Sequence, residues 1–598
     1  MIPTIDSGHD HDVMPTSPAA QPAPTDMAGR RHQAFPVLTA QQIGQLLPFG
    51  AQHQWDDGAL LFEAGKPGPG MFVVLSGAVA VTRRDGLGND VPVAVQGPGQ
   101  FLAEVGQLSG KPSFVDGRAQ GSVTALLIEP ERLRTVLVAE AEIGELIMRA
   151  LILRRVMVIE SGAGGPLLIG GATSAEMTRL TGFLTRNGQP HKVVDPSADA
   201  DSAGIAARYG AAARGHGAMR VVCPNGSVLL DPTDVEVAKA IGLSEFDDAT
   251  LRDVAIVGAG PAGLAAAVYA ASEGLSVIVL ETRAFGGQAG ASARIENYLG
   301  FPTGITGQAL AARAFVQAEK FGADVVVPAQ VERFDCADHA HEHDPADAPA
   351  HALRLTDGRS IHARVVIIAS GAAYRRPALA DLARFEGRGV SYWASPIEGR
   401  LVKGQDVVLV GGGNSAGQAA VFLASHAARV HMLIRGAALA ASMSQYLVDR
   451  IHANPRIQLH AHTELVRLDG DGAGLTGVAW RTGDAGPEVA LATRSLFLFI
   501  GADPNTGWLG GCPITLDAQG FVRTGPALAE ASLDTSLWAG GLRPDLLECS
   551  VPGVFAVGDV RAGSVKRVAA AVGEGAAVVA QVHRYLSGQA VAAAAPRA

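Results

Sequence analysis

The sequence predicts a multidomain α/β protein: a β-roll, a small α/β unit and two doubly wound, Rossmann-like α/β domains. Three observations predict it. Two glycine fingerprints, Gly258-Ala-Gly-Pro-Ala-Gly263 and Gly411-Gly-Gly-Asn-Ser-Ala416, each sit between an apolar run and a helical pattern. From Asp253 onward, apolar strands alternate with helices at the spacing of parallel βαβ units. The chain of 598 residues, 48% hydrophobic with 73 glycines, is too long for one core and implies roughly three to five domains.

Composition removes several function classes. A net charge of −10 offers no basic footprint for nucleic acid or anionic lipid. The cysteines, Cys223, Cys336, Cys512 and Cys549, are far apart and match no zinc or disulfide spacing, which predicts a reducing compartment. The acidic N-terminus lacks the basic-then-apolar order of a signal peptide. No uncharged apolar run approaches the roughly 20 residues needed to span a bilayer. A soluble, cytoplasmic protein with no membrane partner is expected.

The elements follow in order. Residues 1–35, rich in Pro, Ala, Asp and His, read as a disordered leader. Residues 36–160 hold short apolar runs between glycine turns, namely Ala59–Phe62, Met71–Leu75, Ala78–Thr82 and Val91–Val95, which predict a roll. One helical stretch from about Pro130 to Val158 closes it. Residues 161–248 predict strands at 166–169, 191–194, 219–222 and 227–230, with helices at 175–187 and 234–241. Pro232 and Thr233 are a start signal for the last of these helices.

Residues 249–377 and 491–588 predict the first doubly wound domain, with 378–490 inserted as the second and 589–598 as a flexible tail. Asp253–Val257, Ser276–Leu280 and Arg364–Ala369 are continuous apolar runs, the pattern of buried parallel strands. Asp406–Val410 and Arg429–Leu433 begin the second series. Ser495–Ile500 and Gly553–Val557 are expected to return to the first sheet.

At Gly258, Gly260 and Gly263 the chain can turn tightly, let a pyrophosphate approach backbone, and pack helix on strand. Pro261 and Ala262 then open the helix, whose N-terminus faces the anion. Glu281 follows about 20 positions on, where a carboxylate accepts from ribose hydroxyls and repels a 2′-phosphate. FAD and NAD both fit. Gly411, Gly413, Asn414, Ser415 and Ala416 repeat the device. Arg435 stands at the end of the next strand with no acid beside it, and arginine there suits a 2′-phosphate, favouring NADPH over NADH.

These segments, with Gly286-Gly-Gln288, Glu296-Asn-Tyr298, Ala369-Ser-Gly371, Gly387-Arg-Gly-Val-Ser391, Phe499-Ile-Gly501, Pro504-Asn-Thr506 and Pro552-Gly-Val-Phe-Ala-Val-Gly-Asp559, resemble the low-molecular-weight thioredoxin reductase family of FAD- and NAD(P)-dependent pyridine nucleotide-disulfide oxidoreductases. The likeness covers about 250–588. It implies that Asp559, after Gly558, reaches the flavin's ribityl and phosphate region. It places Gly287, Gln288 and Asn297 near the isoalloxazine, with Gly371, Arg567 and Val568 among the flavin contacts. It also implies a homodimer. One departure bears on mechanism. Where the family has its Cys-x-x-Cys, this chain reads Tyr392-Trp-Ala-Ser-Pro396, and Trp393 and Pro396 form neither thiolate nor disulfide. Trp393 either stacks on a cofactor or fills core.

Residues 36–160 resemble a cyclic-nucleotide-binding module. Glu104 could hold a ribose, but Ser113 follows Pro112 where an arginine for the cyclic phosphate is expected, and Arg118 is displaced. An uncompensated buried phosphate is costly, so a degenerate docking roll is the better reading. Residues 161–248 resemble a thioredoxin- or glutaredoxin-like unit without its active-site cysteine; Cys223 reads as a small core residue. Asp338-His-Ala-His-Glu-His-Asp344 reads as a solvated insertion rather than a metal site.

The expectation is an FAD enzyme taking hydride from NADPH and passing electrons to an external acceptor: a thioredoxin-like protein, a ferredoxin-like protein, a quinone or oxygen. Thioredoxin-disulfide reduction through a non-standard relay is one alternative. A flavin-based redox sensor with regulatory N-terminal domains is another.

Overall fold

The computed structural model describes residues 31–594, apart from 85–89, 104–107, 109–110, 163, 173, 210–218, 337–350, 473, 530–532, 535–537 and 539–542. Glu104 and the histidine-rich segment 338–344 therefore lie outside the described residues, as does nearly all of the leader. Arg31–Ala34 do form a short helix, and Ala34 is buried, so the leader does not run unstructured to residue 35.

The roll is a six-stranded antiparallel sheet. Met71–Arg84 is one long strand, not the two expected. Gly77 absorbs the irregularity at φ 79°, where a Cβ would lie 2.4 Å from the Ser122 carbonyl oxygen. The helical stretch that follows is two helices, Pro130–Ala139 and Ala141–Ser161, which part at Glu140. The small unit orders its strands Val228–Leu230, Arg220–Val222, Leu167–Ile169, Lys192–Val194, with only the last pair parallel. Thr233 and Glu236 form a capping box on helix Asp234–Ala240. Helix Ala200–Arg208, capped by Asp199, was not expected.

The first doubly wound sheet runs Asp324–Val326, Val277–Leu280, Arg252–Val257, Ser360–Ile368, His351–Leu355, Val331–Asp335, with Val554–Ala556 also beside Ser360–Ile368. Its central strands are apolar and buried because elements cover both faces, the arrangement parallel sheets require. Helices Pro261–Ser272 and Gly307–Lys320 contribute to one cover, together with Val568–Ala594. That last helix reaches Ala594, inside the stretch read as a tail.

The second sheet orders Val390–Ser391, Leu496–Leu498, Asp406–Val410, Arg429–Leu433, Ile457–His460, all parallel. Here Leu496–Leu498 departs from expectation: it pairs with Val408–Val410 and closes the second sheet rather than returning to the first. The return comes later. Ala372–Tyr374 and Ala502–Pro504 pair as a two-stranded antiparallel ribbon where the chain leaves the first domain and re-enters it.

The cysteine reading also needs correction. Cys336 and Cys512, separated by 176 positions, are joined as a disulfide with Cα atoms 5.4 Å apart. Spacing along the chain missed this because topology lays the end of strand Val331–Asp335 against the loop following Trp508. Cys223 and Cys549 are free and buried.

The roll touches the first domain through Lys111, whose ammonium pairs with the buried Glu319 at 3.0 Å and lies over the Phe315 ring. No helix among the described residues is long and apolar enough to cross a membrane.

Candidate functional site

The first glycine turn forms at the carboxyl edge of strand Arg252–Val257. Gly258 has φ 111°, a region L side chains rarely adopt, and a Cβ on it would meet the Ala369 carbonyl oxygen at 2.3 Å. A Cβ on Gly263 would lie 1.8 Å from the Gly258 carbonyl oxygen. Both positions therefore tolerate only glycine, for packing reasons. Gly260 differs: a Cβ there meets nothing within 4 Å. It caps helix Pro261–Ser272, with Pro261 at the first helical positions and Ala262 buried beneath, so open space lies before the positive end of the helix.

Glu281 ends the neighbouring strand and is tied to this turn. Its carboxylate accepts from the Ala259 amide at 2.9 Å and from the Arg283 amide at 3.0 Å. Gly286 donates to the Ala259 carbonyl, and Gly287, at φ 54°, packs on Gly260. Gln288 donates through Nε2 to the Ala372 carbonyl at 2.6 Å, joining the segment to the interdomain ribbon. Gly371, at φ 63°, faces open space and accepts from the Asn505 amide. Asn297 stands exposed in a turn.

Gly558 closes the same edge. Its amide donates to Glu574 at 2.7 Å, and a Cβ on it would lie 2.8 Å from Ala262 Cβ. Arg561 pairs with the same Glu574 at 2.7 Å, bracing the turn. Burial pushes the Asp559 carboxyl up, against the lowering effect of Lys566, whose Nζ donates to the Asp559 carbonyl. Arg567 is exposed and precedes Val568, the first residue of the last helix. No motif or spacing points to Glu574 or Arg561, which are seen only once the turn is folded.

The second turn repeats the backbone device. Gly411 has φ 144°, and a Cβ there would meet the Phe499 carbonyl oxygen at 2.4 Å. Gly413 caps helix Asn414–Ala424 and faces open space. Asn414 accepts from the Ser444 amide at 2.7 Å, Ser415 is exposed and Ala416 is buried. Arg435 is exposed at the end of the following strand and has no ion-pair partner among the described residues.

At the place expected for a dithiol there is an aromatic cluster. Trp393 donates to Glu398 at 3.0 Å and lies 6.5 Å from Tyr374, which stacks on Tyr392 at 5.7 Å. Tyr392 donates to Glu386 at 2.6 Å. Burial pushes the Tyr374 hydroxyl up to about 12, so it stays protonated at neutral pH. The Arg186 guanidinium, from the small α/β unit, sits over the Trp393 ring at 5.5 Å. Burial lowers its pKa. Sequence reasoning had no means to find that contact. Pro396 opens the short helix Pro396–Leu401.

The arrangement fits two dinucleotides. Each turn has open space at the glycine that caps its helix, Gly260 or Gly413, and a helix start aimed into it. One is followed by a carboxylate and the other by an unpaired guanidinium. In the roll, Arg118 is engaged with the Gly58 carbonyl at 2.7 Å, and Ser113 donates to Val115.

Comparison with known proteins finds matches in two parts of the chain. Residues 252–575 match the model of the pyridine nucleotide-disulphide oxidoreductases, and residues 52–140 match that of the cyclic nucleotide-binding domain. The chain is 33% identical to thioredoxin reductase of Mycolicibacterium smegmatis, over 57% of this chain and 98% of that protein. It is 34% identical to NADPH-dependent thioredoxin reductase 3 of Arabidopsis thaliana, covering 56% of this chain and spanning 59% of that one. The crystal structure of Lactococcus lactis thioredoxin reductase aligns at 25% identity, over 56% of this chain and 99% of that one, with a TM-score of 0.48.

Proposed function

The chain belongs to the pyridine nucleotide-disulphide oxidoreductase family, and from that premise we propose an FAD-dependent NADPH oxidoreductase that passes electrons to an external acceptor. The observation that carries the reading is the pair of open glycine turns followed by opposite charges, Glu281 and Arg435. Bound FAD would supply the hydride acceptor and the electron store.

In this reading Gly258, Gly260 and Gly263 hold the flavin pyrophosphate against the helix start at Pro261. Glu281, held by the backbone amides of Ala259, Arg283 and Ala284, accepts from the adenosine ribose. Gly287, Gln288, Asn297, Gly371 and Val568 border the flavin ring, and Asp559 takes the ribityl region. The exposed Lys566 and Arg567 place positive charge at the start of the last helix, where negative charge on a reduced cofactor is favoured. Gly411, Gly413, Asn414, Ser415 and Ala416 hold the second pyrophosphate, and Arg435 pairs with the 2′-phosphate.

Trp393 supplies no thiol, so no dithiol relay runs through its position. The acceptor must approach the site itself. Anaerobic titration with NADPH should bleach the flavin, and a quinone or ferredoxin-like acceptor from a panel that also includes a thioredoxin-like protein should then reoxidise it. A flavin that neither NADPH nor NADH bleaches would refute the enzyme reading. Thioredoxin-dependent NADPH oxidation would instead favour a disulfide reductase with a different relay. The buried Lys111–Glu319 pair favours one further possibility, in which the roll senses or transmits the state of the flavin domain. A flavoprotein that binds NADPH yet turns over no acceptor would support it.

A further inference from the structure

The Cys336–Cys512 disulfide lies apart from the two nucleotide turns. Strand Val331–Asp335 places Asp335 opposite Ala352, and Ala352 lies opposite His362 on strand Ser360–Ile368. The first glycine turn follows Val257, which lies opposite Ile368, at the other end of that strand. At a strand rise of 3.3 Å per residue the two levels are about 20 Å apart. The disulfide is therefore on the far edge of the sheet from the dinucleotide fingerprint.

Three observations give the bond a use. Both cysteines are partly exposed, and Gly511, the chain neighbour of Cys512, lines an open groove of about 390 Å³ together with Trp508, Glu332, Arg333 and Arg354. Gly511, beside Cys512, runs so close to strand Val331–Asp335 that a Cβ would lie 2.5 Å from the Phe334 carbonyl oxygen, which keeps the two cysteines within bonding reach. The sheet face beneath has an extended core of its own, including Phe334, Val366, Ile368 and Trp508, and both cysteines pack at its margin.

A fourth observation concerns what the bond restrains. Cys512 ends the segment that begins at Asn505, directly after ribbon strand Ala502–Pro504. Asn505 donates to the Gly371 carbonyl and accepts from Ser370 Oγ at 2.8 Å. The disulfide thus ties down the far end of the segment that anchors the ribbon joining the two doubly wound domains.

We propose that Cys336–Cys512 is a reversible thiol–disulfide site, reduced by an external dithiol through the Trp508 groove, and that its state sets how firmly the interdomain ribbon is anchored. One thiolate of the dithiol attacks a sulfur of the pair; the S–S bond breaks, a mixed disulfide forms and the other cysteine leaves as thiolate. The reagent's second thiol then displaces the first cysteine. The chain gains two thiols and the dithiol becomes a disulfide. The proposal does not depend on the cofactor reading.

The test equilibrates full-length protein with graded ratios of reduced to oxidised dithiothreitol, quenches with N-ethylmaleimide and maps the label by mass spectrometry. Cys336 and Cys512 should acquire label together in the folded protein, while the buried Cys223 and Cys549 do not. A pair that resists reduction until the protein unfolds, or that is labelled at every ratio, overturns the site. Hydrogen exchange is then compared between the two redox states. Amides of Asn505–Cys512 should exchange about tenfold faster when reduced. A C336S/C512S double variant should show the fast rate under oxidising conditions too. Equal exchange in both states overturns the link to the ribbon.

Discussion

The two glycine turns share a backbone and differ in their surroundings. Gly258 and Gly411 both take positive φ, and both bring a carbonyl oxygen, of Ala369 or Phe499, to where a Cβ would stand. Around the first turn the discriminating residue is built in: Glu281 is fixed by the amides of Ala259 and Arg283. Around the second, Arg435 is exposed and unpaired among the described residues. The first turn suits a ligand that stays. Under the proposed function, the second suits one that comes and goes, with an exposed guanidinium beside it. In the proposed function, packing sets where a dinucleotide binds, and one side chain at the next strand end selects which one.

The largest effect should come from breaking the shared backbone. Gly263→Ala drives a Cβ into the Gly258 carbonyl, so protein purified with this change should carry almost no flavin by absorbance. Glu281→Ala keeps the turn but removes a charged acceptor, a change of about 2 kcal/mol, or roughly thirtyfold in flavin dissociation constant on reconstitution of apoprotein. Arg435→Ala should be smaller and selective, weakening NADPH by about tenfold while leaving NADH unchanged. Equal loss for both nucleotides would mean that Arg435 does not read the 2′-phosphate.

The smallest effect sharpens the contrast through pH. Burial holds Asp559 above the ordinary carboxylate range, so the folded chain binds this proton more tightly than the unfolded chain. Its contribution is therefore favourable at low pH and falls as pH rises from the unfolded to the folded pKa. Asp559→Asn should raise the apoprotein's melting temperature by about 2 °C at neutral pH, and leave it unchanged below the carboxylate range. The same variant should bind flavin more weakly. A variant no more stable than the parent at neutral pH would show that Lys566 already offsets the burial.

Both turns are legible in the sequence because their physics is local: a strand, three small residues, a helix start and a charged residue one strand later. Topology is not local. Leu496–Leu498 is a short apolar run with no period to say which of two sheets it joins, and it joins the second. Met71–Arg84 is continuous because Gly77 takes up a bulge within it, although the glycine reads as a turn. Cys336 and Cys512 are neighbours only once strand Val331–Asp335 has paired and the chain has passed through the inserted domain. Arg186 over Trp393 depends on how the small α/β unit packs, which no spacing along the chain encodes.

The ribbon formed by Ala372–Tyr374 and Ala502–Pro504 has a consequence for engineering and descent. Every strand of the second sheet lies between these two short segments, and pairing holds the points of departure and return side by side. The second doubly wound domain is thus a cassette with adjoining ends. Residues 375–501 could be replaced by a short turn, or by another domain whose ends lie equally close, without breaking a strand of the first sheet. A fold spliced this way can change what its inserted domain does by exchanging one continuous stretch of sequence.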